Sequence, residues 1–256
     1  MRTVLLAILF ALPFARPANA ASTILGNQDF NMILGYKLWL NSWTTWNTGG
    51  VNPHIDSVSK NGVANNINAT MRYKQLFTNL GVTLTGDYTF PSYEEDNSTA
   101  KVTLKANRTE VDWNIGWMAV PQLGFTVGLK NVHQRWLDST TGALYQNWNY
   151  LGPTVGIVGN AAIGNGFSLY GNGAGGVMGL QITDSHNVLK NPNRHDSATY
   201  ELAELGIAWK ARTVPISATV GYRIQKMSTK LDISGYGDQR GIDLTSGYSL
   251  GLNLIF

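Results

Sequence analysis

The chain has 256 residues, enough for one domain of ordinary size, and is 43% hydrophobic but only 14% charged, well below the roughly 25% charged residues of soluble domains. Its 28 glycines, 8 tryptophans and mean hydropathy of -0.10 exclude a bundle of apolar membrane helices and point to finely mixed polar and apolar positions. With no cysteine in the sequence there is no disulfide staple, thiol nucleophile or thiolate metal site.

Residues 1–20 have the form of an export signal. Arg2 gives a positive start, Val4 to Leu12 an apolar stretch, Pro13 and Pro17 break any helix, and Ala18-Asn19-Ala20 precedes Ala21. Cleavage is predicted after Ala20, leaving 21–256 as a single domain. The apolar stretch is far shorter than the roughly 20 residues of a membrane-spanning helix, and no later segment reaches 18 apolar residues, so no transmembrane helix is predicted. The 19 basic residues less Arg2 and Arg16 leave 17 against 16 acidic ones, a net of +1, which gives no electrostatic basis for nucleic-acid binding.

Beyond the leader, apolar and polar residues alternate with period two, the signature of a strand with one apolar face. In chain order, strands are predicted over 33–46, 66–77, 80–90, 110–117, 125–136, 148–163, 167–182, 204–210, 216–225 and 242–256, about ten in all. In the third, Leu80, Val82, Leu84, Gly86, Tyr88 and Phe90 share a face; in the fourth, Val111, Trp113, Ile115 and Trp117 do; in the ninth, Ile216, Ala218, Val220, Tyr222 and Ile224 do. Short connections are predicted at Thr78-Asn79, Pro121 to Gly124, Gly164-Asn165-Gly166 and Arg212 to Pro215. They alternate with five longer polar ones near 47–65, 91–103, 137–147, 183–198 and 228–241. Glycines 171, 173, 175 and 176 relieve crowding in a curved strand; with neither a following helix nor a Lys-Ser/Thr, they are no phosphate loop.

The last strand places Tyr248, Leu250, Leu252, Leu254 and Phe256 on one face and Ser249, Gly251 and Asn253 on the other. With its aromatic terminus, alternate hydrophobes and an aromatic at the ninth position from the end, it resembles the C-terminal strand of Gram-negative outer-membrane barrels. The resemblance implies that Tyr248, Leu250, Leu252, Leu254 and Phe256 form the signal read by the barrel-insertion machinery. The fold expected is an all-β, transmembrane, antiparallel up-and-down barrel with short periplasmic turns and longer extracellular loops. Both termini would then be periplasmic and the protein would sit in the outer membrane, among lipid and lipopolysaccharide. A soluble up-and-down barrel such as a lipocalin is the alternative, with the apolar face turned inward; low charge, the terminal strand and the loop asymmetry favour the membrane form.

Apolar residues facing lipid leave the opposite face to the lumen. That face carries Lys37, Arg72, Lys74, Asp87, Arg108, Glu110, Asp112, Lys130, Glu204, Lys210 and Arg223, and these are expected to form an ion-pair network in a narrow interior. Tyr36, Trp43, Trp46, Tyr73, Tyr88, Phe90, Phe125, Trp136, Trp148, Tyr150, Phe167 and Phe256 are expected to form interfacial girdles. Two loop clusters carry catalytic residue types. Glu94, Glu95 and Asp96, with Asp184-Ser185-His186, resemble the loop acids and Asp-x-His of the omptin proteases, where a His with an Asp activates water; Glu94 and Asp96, however, are not an Asp pair. His195-Asp196-Ser197 resembles the His-x-Ser of lipid A deacylases, but sits in a turn-rich Asn-Pro-Asn context. Neither is taken as catalytic, no metal site or cofactor is expected, and His54 and His133 are isolated. The expected function is that of a non-enzymatic envelope protein or adhesin with an unidentified surface ligand. A narrow porin-like channel comes next, and a loop-borne hydrolase third.

Overall fold

The computed structural model describes residues 30–46, 56–94, 101–184, 193–233 and 237–256; the leader lies outside them. Twelve strands form one antiparallel sheet: β1 (Phe30–Trp46), β2 (Asp56–Val58), β3 (Gly62–Tyr73), β4 (Leu76–Thr85), β5 (Tyr88–Glu94), β6 (Lys101–Val120), β7 (Leu123–Asp138), β8 (Leu144–Gly164), β9 (Phe167–Asp184), β10 (Asn193–Lys210), β11 (Ile216–Ile233) and β12 (Gly237–Ile255). The last pairs with the first, from Ile33 opposite Ile255 to Thr44 opposite Leu244, so the sheet closes on itself. Two of its staves are interrupted strands: β2 with β3, and β4 with β5. The barrel therefore has ten staves, the architecture the alternation predicts.

Both interruptions are bulges. Between Leu84 opposite Thr109 and Tyr88 opposite Ala106, four steps on one stave match three on β6. The extra residue, at Gly86–Asp87, reverses which side chains face inward. A second extra residue separates β2 from β3, since Asn41 pairs with Gly62 but Thr44 with Val58.

The short connections lie at one end. Asn165 and Gly166, both at positive φ (53° and 84°), make the two-residue turn that an Asn-Gly pair favours. The first hairpin departs from expectation: it turns at Lys74–Gln75, with Lys74 at φ 54°, whereas Thr78 and Asn79 lie inside β4, opposite Met71 and Thr70.

The strands are longer than predicted. The eight uninterrupted ones run from 16 to 21 residues, against the roughly 9–11 that cross a bilayer. The outer surface shows where the surplus lies. In the half nearest the turns it is an apolar belt, including Leu34, Ile67, Leu80, Trp113, Val127, Val155, Leu205, Val220 and Leu252, all exposed, with Gly171, Gly173 and Gly175 at the outward positions of β9. Phe30, Tyr73, Trp117, Phe125, Phe167, Trp209 and Phe256 ring its turn-side edge. Further up the same outward positions become polar: Thr109 and Asn107 on β6, Asn131, His133 and Arg135 on β7, Asn149 and Asn147 on β8, and Glu201 and Thr199 on β10.

The inward positions change in the opposite sense. Above the belt they are apolar, and Trp43, Tyr88, Phe90, Leu104, Trp136, Trp148, Tyr150, Met178, Leu180, Ile182, Tyr200 and Met227 meet as a buried core that fills the barrel. Trp43 contacts Tyr88 and Phe90 edge-on, each at 5.4 Å between ring centroids, and Trp136 at 4.9 Å, separations typical of favourable aromatic pairs. This corrects the girdle assignment. Tyr36, Tyr73, Phe125, Phe167 and Phe256 do face outward, but Trp43, Tyr88, Phe90, Trp136, Trp148 and Tyr150 are buried inside; the side chain of Trp46 is outside those described. Where water replaces lipid around the barrel, the favourable arrangement reverses to that of a soluble protein. Trp43→Ala should therefore destabilise the folded barrel by about 3–5 kcal/mol, measured by urea unfolding in detergent. The outward Tyr73→Ala should cost far less.

Candidate functional site in the barrel lumen

Between the aromatic core and the turn end, the lumen is crossed by a chain of buried charges. Glu110 of β6 is 1% exposed and Glu204 of β10 3%; the cations gather on these two. Lys130 of β7 donates to Glu110 Oε2 at 2.7 Å and to both oxygens of Asp112 at 2.8 and 2.9 Å. Arg108 forms an ion pair with Glu110 and donates to Thr245 Oγ1 at 3.0 Å. At the other end, Glu204 Oε1 accepts from Lys37 Nζ at 2.7 Å, Tyr170 OH at 2.9 Å and Ser249 Oγ at 3.0 Å.

Arg223 and Gln225 of β11 join the two ends. The Arg223 guanidinium lies 4.0 Å from both Glu110 and Glu204 and donates to Gln225 Oε1 at 2.9 Å, while Gln225 Nε2 donates to Glu110 Oε1 at 3.0 Å. Strands β6 and β11 are five staves apart in a ring of ten, so these contacts span the full diameter. Alternate charge is what makes such burial tolerable, since an unpaired ion out of water costs several kcal/mol.

Cation–π contacts couple the chain to the aromatic core. Arg108 lies 5.8 Å from the Trp43 ring centroid, Lys130 5.0 Å from Tyr200 and Arg223 4.9 Å from Trp39. Asp243, level with the polar outer collar and outside the lipid-facing belt, is the acid within the aromatic core. It accepts from Thr45, from Trp43 Nε1 at 3.2 Å, from Tyr150 OH at 3.4 Å and from Gln134 Nε2 at 3.5 Å. Burial pushes its carboxyl above the ordinary aspartate value, opposed by the hydrogen bonds from Thr45 and Trp43.

Of the eleven charges assigned to the lumen from the alternation, seven meet here: Lys37, Arg108, Glu110, Asp112, Lys130, Glu204 and Arg223. The other four do not. Arg72 sits at the turn end, where its Nε donates to Lys74 O at 2.8 Å; Lys74 is in the turn itself and Lys210 is exposed at the same rim. Asp87 falls in the bulge, which turns it out to solvent, where it accepts from Asn107 Nδ2 at 3.3 Å. The list of expected lumen charges left out Gln225, Tyr170, Ser249 and Asp243, although alternation puts Gln225 and Ser249 on the inward face. Of the two loop clusters, Glu95, Asp96, Ser185 and His186 lie outside the described residues, as do the side chains of Glu94, Asp184 and His195. Asp196 is half-buried and Ser197 exposed on β10.

The closed barrel is similar in fold to solved structures. The outer membrane protease OmpT of Escherichia coli matches with a TM-score of 0.54 at 12% identity, covering 88% of this chain and 97% of its own. The fold is that of an outer-membrane β-barrel. Looser matches include the translocator domain of the autotransporter NalP of Neisseria meningitidis, with a TM-score of 0.46 at 10% identity over 91% of this chain and 90% of that one. The toluene transporter TodX of P. putida gives 0.38 at 8% identity over 89% and 90%. No protein-family model and no curated protein sequence matches the chain.

The lumen makes a direct prediction. Glu110→Gln leaves Lys130, Arg108 and Arg223 short of a buried counter-charge and should cost about 3–5 kcal/mol of unfolding free energy. Asp87→Asn, at the solvent-exposed bulge, should stay within about 0.5 kcal/mol of wild type.

Proposed function

We propose that the chain is a closed outer-membrane barrel that conducts no solute and acts through its place in the envelope and its surface loops, as an envelope protein or adhesin. The observation that carries this reading is the filled interior: a diametric ion-pair chain lies directly beneath an aromatic core that packs against most of the staves. A barrel of eight strands is just filled by side chains, and open aqueous channels come with sixteen or more; ten staves with large inward residues sit near the filled limit.

The remaining expectations fit this reading. Residues 1–20 direct export and are removed. The outward comb of Tyr248, Leu250, Leu252, Leu254 and Phe256, all exposed, is the segment on which the insertion machinery acts. Short turns lie in the periplasm with both termini, and the longer connections outside, among lipopolysaccharide. The loop acids and histidines serve solvation and binding rather than hydrolysis; no cofactor, metal or nucleic acid is required. The likeness to OmpT, a protease, is one of fold and carries no activity across.

Two measurements test the proposal. Detergent-solubilised protein should migrate faster unboiled than boiled, as a closed barrel does. Inserted into planar bilayers, it should show no steady conductance steps. Regular ohmic openings would replace this reading with that of a narrow porin-like channel.

A further inference from the structure

The turn end of the barrel carries charge of one sign. Level with the outward aromatic ring or beyond it lie Arg72 and Lys74 on the β3–β4 hairpin and Lys210 and Arg212 on the β10–β11 hairpin. Among the described residues no acid stands at this level; the acids next above are Asp112 and Glu204, already bonded to Lys130 and Lys37. The two basic hairpins flank the β1–β12 closure, since β3 pairs with β1 and β11 with β12. The opposite hairpins turn at Pro121–Gln122 and Asn165–Gly166, and no charged residue occurs between Asn114 and Gly128 or between Pro153 and Ala174. The rim is basic along one arc and neutral along the other.

Parity shows which way the arc faces. Tyr73 and Trp209 are exposed on the outer wall, so Arg72 and Lys210, each one position away, point toward the barrel axis. They stand four strand spacings apart, about 19 Å along the wall. Arg72 Nε donates to Lys74 O at 2.8 Å and Arg212 Nη2 to Asn165 Oδ1 at 3.1 Å, neutral acceptors that leave the guanidinium charge in place. A lipid headgroup would lie outside the wall, against Tyr73 and Trp209. Cations aimed at the axis serve something in the water beneath the mouth.

The lumen between the rim and the charged tier adds a second property. Its inward residues Asn68, Thr70, Asn79, Asn114, Ser217 and Asn253 are uncharged, polar and half-buried, whereas Glu110 and Lys130 above them are each 1% exposed. Water reaches up from the mouth and stops at the tier. Asn79 Nδ2 donates to Thr70 Oγ1 at 2.8 Å and Asn253 Nδ2 to Ser217 Oγ at 3.2 Å, which fixes these amides along the wall. Amides and hydroxyls match sugar and peptide groups, while guanidinium and ammonium groups match carboxylates.

We infer that the basic arc and the amide-lined mouth dock a carboxylate-bearing glycopeptide polymer, the peptidoglycan beneath the outer membrane. A polymer with carboxylates on many stem peptides engages both hairpins at once, which gives it an advantage over a single small anion. The inference rests on the envelope reading above, with the short turns in the periplasm, and gives that reading a partner on its inner side.

Cosedimentation of the detergent-solubilised full chain with isolated sacculi tests it. At low salt wild type should pellet with the sacculi, and added salt should release it by screening the contact. R72Q/K210Q should bind about tenfold more weakly, while K105Q/R135Q, altered at the loop end, should bind like wild type. Sacculi whose carboxylates have been converted to amides should no longer pellet the wild type. Equal binding by wild type and R72Q/K210Q, or equal binding of wild type to native and amidated sacculi, overturns the inference. So does a loss that R72Q/K210Q shows on phosphatidylglycerol vesicles but not on sacculi, which assigns the arc to the membrane surface. The heat-dependent mobility shift of R72Q/K210Q reports that it is folded. Because the chain has no cysteine, Thr213→Cys, in the exposed β10–β11 turn, reports orientation: an impermeant maleimide should label it only once the outer membrane is opened. Labelling in intact cells would sink the orientation and the docking together, whereas the expected labelling without sacculus binding would sink the docking alone.

Discussion

Everything in this molecule follows from the demand that no backbone N–H or C=O be left unpaired in hydrocarbon. A sheet meets that demand only by having no edge, and here the pairing of β1 with β12 removes it over twelve residue pairs, from Ile33 to Thr44. Closure makes one face of every strand an inside and the other an outside. All later choices of residue then reduce to which medium each face meets.

Because the staves outrun the bilayer, the outside meets two media, and the side chains change accordingly. On β7 the outward sequence runs Phe125, Val127, Leu129, then Asn131, His133, Arg135, while the inward one runs Thr126, Gly128, Lys130, then Val132, Gln134, Trp136. The lower half has its hydrophobic face toward lipid and a polar, ion-paired interior. The upper half has the arrangement of a water-soluble barrel. One stave thus contains both of the architectures that the alternation left as rivals, joined end to end. The charged tier sits at the changeover, where Lys130 and Arg223 have aromatic rings on one side and carboxylates on the other.

Much of this was legible from residues 21–256 because a period of two survives any error in strand boundaries. The closed sheet, the alternate short turns and seven of the lumen charges all follow from parity. The girdle assignment failed because it read aromatic residues by type and not by parity: carried up β7 from Leu129, strict alternation already places Trp136 inside. Tyr88 and Phe90 are a different case. No counting from Leu84 could place them, since the bulge at Gly86–Asp87 shifts the phase and leaves only a glycine as its trace. The first turn was misplaced for a similar reason: Lys74 adopts a left-handed conformation that lysine does not announce, whereas Thr78-Asn79 has turn-forming composition but pairs within the hairpin. Of the two clusters expected in loops, His195-Asp196-Ser197 falls within β10, whereas Glu95, Asp96, Ser185 and His186 lie outside the described residues.

The division of each stave into two regimes has a consequence for what the surroundings can and cannot alter. Below the collar, cohesion depends on whatever solvates the apolar belt, so exchanging lipid for detergent changes the reference against which those side chains are held. The Trp43–Phe90–Trp136 cluster has no such dependence, being enclosed by the protein's own polar wall. The molecule carries a portable, aqueous-style nucleus on top of a portion whose stability is borrowed from its host medium, and the two should respond independently when that medium is changed.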